Sequence, residues 1–140
     1  MSLPRYLVDS NVLLRFLTGE PPPLFAAAKA LIERAENGEV ALDVPALVLA
    51  ETAFTLESFY KHDRRAVARV LAEFAGMTGV RVFERDRVIE AFARVQSTGV
   101  HFVDAYLAAL ACESGVAVAS FDRDFVRFTD VKHFYPIAKG

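Results

Sequence analysis

The feature that most constrains the fold is a short apolar run that ends abruptly in a carboxylate. Residues 6–8 read Tyr-Leu-Val, the next three read Asp-Ser-Asn, and helical periodicity begins immediately afterwards. An apolar run this short is typical of a strand that is buried on both faces, as in a parallel sheet. Open α/β sheets bind their ligands at the carboxyl ends of their strands. The position of Asp9 therefore predicts a functional site at that edge.

The same alternation of short apolar runs and amphipathic helices continues along the chain. Strands are predicted at residues 5–8, 39–44, 80–83, 116–120 and 131–134. Helices are predicted from Ser10 or Asn11 to about residue 17, from Pro45 onwards, and at residues 24–36, 64–75, 87–96 and 102–113, with caps at Asp63 and Asp86. Helices between successive strands imply parallel crossover connections. The pattern predicts an α/β fold, a three-layer α/β/α sandwich with a central parallel sheet of four to five strands.

Length and composition limit the classes of protein to which the chain can belong. At 140 residues, the chain is expected to form a single domain, 1–140. The hydrophobic fraction of 54% exceeds the roughly 45–50% that is usual for soluble domains, which leaves apolar surface for self-association. The net charge of -2 argues against non-specific nucleic-acid binding through a broad basic face. The single cysteine, Cys112, cannot form an internal disulfide and favours a reducing, cytoplasmic location.

Neither a signal peptide nor a membrane-spanning helix is expected. The N-terminus lacks a basic region followed by a long apolar run. Residues 102–121 are rich in apolar side chains, but Asp104, Glu113 and Gly115 interrupt them, whereas a spanning helix needs roughly 20 nearly uncharged residues. We therefore expect no membrane partner.

Four acids are predicted to converge on one edge of the sheet. Asp9 ends the first strand, and Asp122 follows the fourth strand by two residues. The carboxyl ends of parallel strands lie at the same edge. Glu51 lies six residues after Pro45, so its side chain points back towards the start of the third helix. Asp104 lies in the first turn of the helix that leads into the fourth strand.

Carboxylates that crowd together point to a metal site. Ionised acids in one pocket repel one another unless a cation neutralises them. Oxygen ligands in an open, hydrated cluster suit Mg²⁺ or Mn²⁺. Such a site can support hydrolysis of a phosphodiester by a metal-activated water, without a Ser or Cys nucleophile. On this hypothesis, metal-free Asp9→Asn is expected to melt above the wild type, because one repelling charge is removed.

Four segments of the chain resemble the motifs of PIN-domain ribonucleases. Residues 7–14 (Leu-Val-Asp-Ser-Asn-Val-Leu-Leu) resemble the opening motif, and residues 45–52 (Pro-Ala-Leu-Val-Leu-Ala-Glu-Thr) resemble the second. Residues 102–109 resemble the third, and residues 119–125 resemble the fourth, where the family usually has Thr or Ser two residues before the acid. The four occur in the family's order and span nearly the whole chain. The chain most resembles the VapC-type toxins of prokaryotic toxin–antitoxin pairs.

The resemblance implies a reaction and a set of site residues. It implies Mg²⁺-dependent cleavage of RNA, a homodimer, and inhibition by a cognate antitoxin whose tail enters the active-site groove. The implied metal-binding and catalytic acids are Asp9, Glu51, Asp104 and Asp122, the implied polar supports are Ser10, Asn11 and Ser120, and Asp124 is a candidate aid to a second ion.

Basic side chains near the predicted site are candidates for substrate binding. Arg15 and Arg123 lie on segments next to the site and could hold phosphates, and His101 directly precedes the sixth helix. A role on the ordinary polar surface is open for each of them. Arg64 is interpreted as the solvated start of the fourth helix.

Other functions fit parts of the sequence. A non-catalytic module of the same fold, which binds RNA or protein, fits the low net charge and the surplus apolar surface. Asp9 could simply cap a helix, and Asp122 could be a turn residue. A phosphotransfer enzyme of the haloacid-dehalogenase type would need an Asp-x-Asp pair, but the residue two after Asp9 is Asn11. A dinucleotide-binding domain is excluded, because no Gly-x-Gly-x-x-Gly follows a strand.

Overall fold

The order of the elements follows the predicted alternation of strands and helices. The computed structural model describes residues 2–138. Its strands are β1 (Arg5–Leu7), β2 (Ala41–Asp43), β3 (Val80–Arg81), β4 (Val118–Ala119) and β5 (His133–Phe134). Its helices are α1 (Ser10–Thr18), α2 (Pro22–Glu36), α3 (Ala46–Ser58), α4 (Arg64–Ala75), α5 (Arg85–Thr98) and α6 (Phe102–Ser114), followed by a 3-10 helix at Arg123–Arg127. The parallel strands and intervening helices confirm an α/β fold.

Helix α1 is capped by Asp9, the alternative interpretation of that acid, and not by Ser10 or Asn11. The Asp9 carboxylate accepts a hydrogen bond from the backbone N–H of Val12 at 3.2 Å, whereas Ser10 and Asn11 were the predicted caps. Ser10 cannot serve, because its side chain is buried and its hydroxyl is bonded elsewhere. The first acid of the sequence therefore also fixes the start of the first helix.

The beginnings of α4 and α5 show how far capping can be read from sequence. Asp63 caps α4, as predicted, and accepts a hydrogen bond from the N–H of Ala66 at 3.0 Å. The predicted cap of α5 is wrong, because that helix begins at Arg85, after Glu84. Asp86 instead lies in the first turn, where the helix dipole favours an acid.

The five strands form two parallel sheets rather than the single sheet that was predicted. β2 pairs with β1 on one side and β3 on the other, so that Leu42 lies beside both Tyr6 and Val80. β4 pairs with β5. Within residues 2–138, no ladder joins β4 to β1, so β1 is an edge strand. The strands are also shorter than predicted, because the ladders pair only two or three residues of each strand.

The buried side chains form one cluster that includes both sheets. Leu42 on β2 is fully buried, and so is Leu71 on α4. The rings of Phe92 and Phe102 lie 4.4 Å apart between α5 and α6. Phe125, in the 3-10 helix after β4, belongs to the same cluster. None of the helices within residues 2–138 is long and apolar enough to cross a membrane.

Asp43, at the end of β2, is a structural acid. It is buried, and its Oδ2 accepts hydrogen bonds from Arg5 Nη2 at 2.6 Å and Nε at 3.2 Å. The Nε of Arg81, on the neighbouring strand β3, lies 3.9 Å from Asp43 Oδ1. A buried carboxylate needs such partners, because leaving its charge unpaired is costly. Asp43 therefore links the three strands of the first sheet through these contacts, and its role is structural.

Gly79 is expected to tolerate no side chain. Its φ is +84°, and a Cβ at this position would lie 2.3 Å from the carbonyl oxygen of Ala35 on α2. Gly79→Ala should therefore lower the free energy of unfolding by more than about 3 kcal/mol, through backbone strain and a clash. Urea denaturation measures this loss.

Gly115→Ala is the matched control for this substitution. Gly115 has a similar φ of +73°, but a Cβ there would meet nothing within 4 Å. It should lose only the strain, about 1–2 kcal/mol. Equal losses in the two variants would contradict a clash with α2.

Candidate active site

Asp9 lies on the surface at the junction of β1 and α1. Its carboxylate is exposed and accepts the capping hydrogen bond from Val12. Together with Asn11, Arg15 and Leu24 it lines a groove of about 470 Å³ between α1 and α2. Asp9 therefore caps the helix, and the capping hydrogen bond occupies one of its two carboxylate oxygens.

Ser10 connects the start of α1 to the acid of α3. Its buried hydroxyl donates a hydrogen bond of 2.6 Å to Glu51 Oε1. Glu51 is otherwise exposed on α3. A hydroxyl that fixes one carboxylate oxygen leaves the other in a defined direction, which is the kind of support that the resemblance implied for Ser10.

The turn after β4 is held by side chains that bond to the backbone. Ser120 Oγ accepts a hydrogen bond from the N–H of Asp122 at 2.9 Å, and Asp122 Oδ1 accepts one from the N–H of Asp124 at 2.8 Å. Asp122 therefore caps the 3-10 helix. Asp124 also faces Arg127, whose Nη2 lies 3.6 Å from its Oδ1. Both acids are thus oriented by local contacts.

Asp104 is the acid whose pKa depends on several charged neighbours. It is half-buried in the first turn of α6. Burial raises the pKa of its carboxyl above the ordinary value, and the charges of Asp122 and Asp124 raise this pKa further, whereas His101 and Arg64 lower it. Asp104, Asp122 and Asp124 are therefore within electrostatic reach of one another.

The structure does not bring the four predicted acids into one cluster. Within residues 2–138, no three His, Cys, Asp or Glu side chains are close enough to hold a metal ion. Asp9 and Asp122 follow strands in different sheets. Glu51 lies with Ser10, and the crowding expected at Asp9 is found at Asp104. The donors are nevertheless all carboxylate oxygens, which suit Mg²⁺ or Mn²⁺.

Arg64 is a part of the site that the sequence did not reveal. Its Nε donates to Glu57 Oε1 at 2.7 Å, its Nη1 to the carbonyl oxygen of Gly99 at 2.6 Å, and its Nη2 to His101 Nε2 at 2.9 Å. It thereby ties α3 and α4 to the loop before α6. Because Nε2 accepts, neutral His101 carries its proton on Nδ1, 3.8 Å from Glu57. These partners are distant in sequence, and no local pattern indicates them.

The two arginines predicted to bind phosphates have different surroundings. Arg15 is half-buried and lines the groove between α1 and α2. Arg123 is exposed, and its guanidinium carbon lies 4.7 Å from the centre of the Tyr135 ring. This cation–π contact holds Arg123 beside the C-terminal segment. Their roles in phosphate binding stay predictions.

Asp104→Asn is expected to raise the melting temperature of the metal-free protein at neutral pH. The ionised carboxylate is disfavoured by burial and by Asp122, and the uncharged amide removes this penalty. Because the group is half-exposed, solvent screening should keep the gain below about 1 kcal/mol, or about 3 °C. Differential scanning calorimetry measures it. Asp86→Asn, an exposed acid in the first turn of α5, is the control and should bring no gain.

The pH dependence of this gain has a definite sign. Since the pKa of Asp104 is higher in the folded than in the unfolded protein, the folded wild type gains stability as the pH falls through the raised pKa towards 3.8. The advantage of Asp104→Asn should shrink over this window. An advantage that stayed constant with pH would show that repulsion is not its cause.

Comparison with known proteins is informative at the level of the family. The model of the PIN domain matches residues 6–131, a range that contains Asp9, Glu51, Asp104 and Asp122. No curated protein shows significant similarity to the chain. Since the match extends over most of the sequence, from β1 to the residues just before β5, this chain belongs to the PIN-domain family.

Proposed function

We propose that this chain is a metal-dependent endoribonuclease that hydrolyses phosphodiester bonds of RNA. Membership of the PIN-domain family supports a nuclease-type fold. The observation that carries the proposal is the half-buried position of Asp104 within reach of the charges of Asp122 and Asp124, because a divalent cation would relieve the repulsion between such carboxylates. When bound, Mg²⁺ or Mn²⁺ would supply Lewis acidity and an activated water.

The chain's own residues contribute orientation to this site. We assign the ion to Asp104 and Asp122, with Asp9 and Glu51 completing the set, and Asp124 remains a candidate for a second ion. Ser10 holds one oxygen of Glu51, and the N–H of Asp124 holds one oxygen of Asp122. Carboxylates that are fixed before substrate arrives need no reorganisation during the reaction.

We propose in addition that β4 pairs with β1 and unites the two sheets in the order β3-β2-β1-β4-β5. Among the residues that the structure describes, each of the two strands has an unpaired edge, and β1 carries Tyr6 and Leu7, the latter 75% exposed. Open apolar edges tend to be covered, because they pair readily with another strand. Parallel pairing of β1 with β4 would bring Asp9 and Asp122 to the same edge.

Leu7→Lys tests whether the sheets join in solution. Beside an unpaired edge the lysine would stay in water and change the free energy of unfolding by less than about 0.5 kcal/mol. If β4 covers β1, burial of Leu7 is lost and we expect a decrease of about 2 kcal/mol. Leu24→Lys, at a position on α2 that is 52% exposed, is the control in urea denaturation. Equal, small effects would show that the sheets stay separate.

Asp9→Asn and Asp104→Asn are expected to slow RNA cleavage by at least roughly a hundredfold, the scale of losing one catalytic electrostatic contact. A single-stranded RNA with a fluorophore and a quencher, incubated with Mn²⁺, reports the rate. Asp86→Asn is the matched control and should keep the wild-type rate, since this acid lies in the first turn of α5. Full activity in Asp9→Asn would refute its role.

Calorimetric titration of Mn²⁺ separates catalysis from binding alone. The wild type should bind the ion, and Asp9→Asn should not. If the wild type neither binds Mn²⁺ nor cleaves RNA, the second candidate is favoured, a non-catalytic module of the same fold. The apolar side chains at its surface, such as Leu47 and Phe83, favour that candidate.

We further propose a biological setting, the toxin of a prokaryotic toxin–antitoxin pair of the VapC type. The resemblance of the four segments supports this assignment. The antitoxin would occupy the groove between α1 and α2, where Asp9 and Arg15 lie beside the apolar Leu24. Self-association as a homodimer is supported by a second surface, a cavity of about 400 Å³ whose apolar lining includes Leu47 of α3, Val103 of α6, and Phe83 between β3 and α5.

A further inference from the structure

We propose that the cavity between α3 and the start of α6 binds one nucleotide of the RNA beside the scissile phosphate. Phe54 would stack on its base, and Arg64, held in place by Glu57 and His101, would donate to its phosphate. This inference rests on the proposed ribonuclease function. The cavity measures about 300 Å³, and Phe54, Glu57, His101 and Asp104 are among its lining residues.

The α3 wall of the cavity has the shape of a stacking platform. Phe54 is 64% exposed, which is unusual for a large aromatic side chain. It follows Glu51 by three residues, so both lie on one side of α3. The small side chains of Ala50 and Ala53 line the cavity beside it. Unpaired RNA bases stack on such rings, and a cavity at the lower end of the roughly 300–1,000 Å³ range of ligand sites suits a single base.

Arg64, which contacts the lining residues Glu57 and His101, offers fixed hydrogen-bond donors beside the cavity. Three N–H groups of the Arg64 guanidinium are engaged by Glu57, Gly99 and His101. Its remaining N–H groups have no acceptor within residues 2–138 and can donate to a phosphate oxygen. Because Glu57 is nearly buried and binds Arg64 at 2.7 Å, the guanidinium is held in one place. The exposed His101 adds a further polar group at the same rim.

The place of this cavity links it to the reaction. Asp104 and His101 both line it, and Arg64 donates a hydrogen bond to His101. A nucleotide bound here would therefore lie directly beside the acids that we assign to the ion. The polar rim also distinguishes this cavity from the neighbouring surface of Leu47 and Phe83, whose lining is mostly apolar. We assign the first to RNA and the second to self-association.

Binding of a labelled poly(A) oligonucleotide, followed by fluorescence anisotropy in EDTA, tests the base platform without cleavage. Phe54→Leu should raise Kd about tenfold, the loss of one stacked base, and Phe54→Trp should restore it. Phe59→Leu is the matched control, because Phe59 at the end of α3 is 75% exposed and lines neither cavity. It should leave Kd unchanged.

Inorganic polyphosphate, used as a competitor, separates base stacking on Phe54 from phosphate binding by Arg64. Arg64→Lys keeps the charge but loses the planar fork, and should weaken poly(A) and polyphosphate alike. Phe54→Leu should leave polyphosphate binding unchanged, since the polymer has no bases. Circular dichroism verifies that both variants are folded. Equal binding of poly(A) by wild type and Phe54→Leu would overturn the inference.

Sedimentation and cleavage distinguish the other outcomes. If Phe54→Leu and Leu47→Ala both weaken poly(A) binding while a dimer falls apart, the cavity belongs to a protein interface and the inference is wrong. If the wild type cleaves RNA but Phe54→Leu binds poly(A) normally, the nucleotide subsite fails alone. If stacking on Phe54 is observed but the wild type cleaves no RNA with Mn²⁺, the proposed activity fails while the binding site stands.

Discussion

The burial of β2 between two parallel neighbours is the constraint on which the rest of the structure depends. Leu42 is fully buried, and Asp43 at the strand end is neutralised by arginines from both adjacent strands. Parallel neighbours require helical crossovers, and these crossovers place α1 and α3 directly after β1 and β2. The starts of two helices, with Asp9 and Glu51 near them, are thereby brought to one end of the first sheet.

Local chemistry was predictable from the sequence, and distant contacts were not. The caps and the apolar periodicity of α4 follow from residues within one turn of each other, so its bounds at Arg64 and Ala75 were predicted correctly. The contacts of Arg64 involve Glu57, Gly99 and His101, which only the tertiary fold brings close. The pairing of β4 is equally non-local, which is why the expectation of a single sheet was not met.

The candidate site shows the same division. The sequence offered certain acids and hydroxyls as candidates, and the structure places the hydroxyl of Ser10 on Glu51 and that of Ser120 against the backbone of Asp122. The sequence did not predict which carboxylate its neighbours repel, because this repulsion depends on distances between segments rather than on their order. Burial and the charge of Asp122 raise the pKa of Asp104, which is the one half-buried acid of the predicted four. Burial removes the water that would otherwise screen its charge.

The hydrogen bond from Ser10 to Glu51 couples the position of α1 to the orientation of the Glu51 carboxylate on α3. Ser10 is the first residue of α1, and the side of the helix near Asn11 and Arg15 forms one wall of the groove against α2. Any occupant that tilts α1 therefore displaces the hydroxyl that orients Glu51. A molecule bound in the groove would therefore act on two acids at once, by covering Asp9 directly and by turning Glu51 through Ser10.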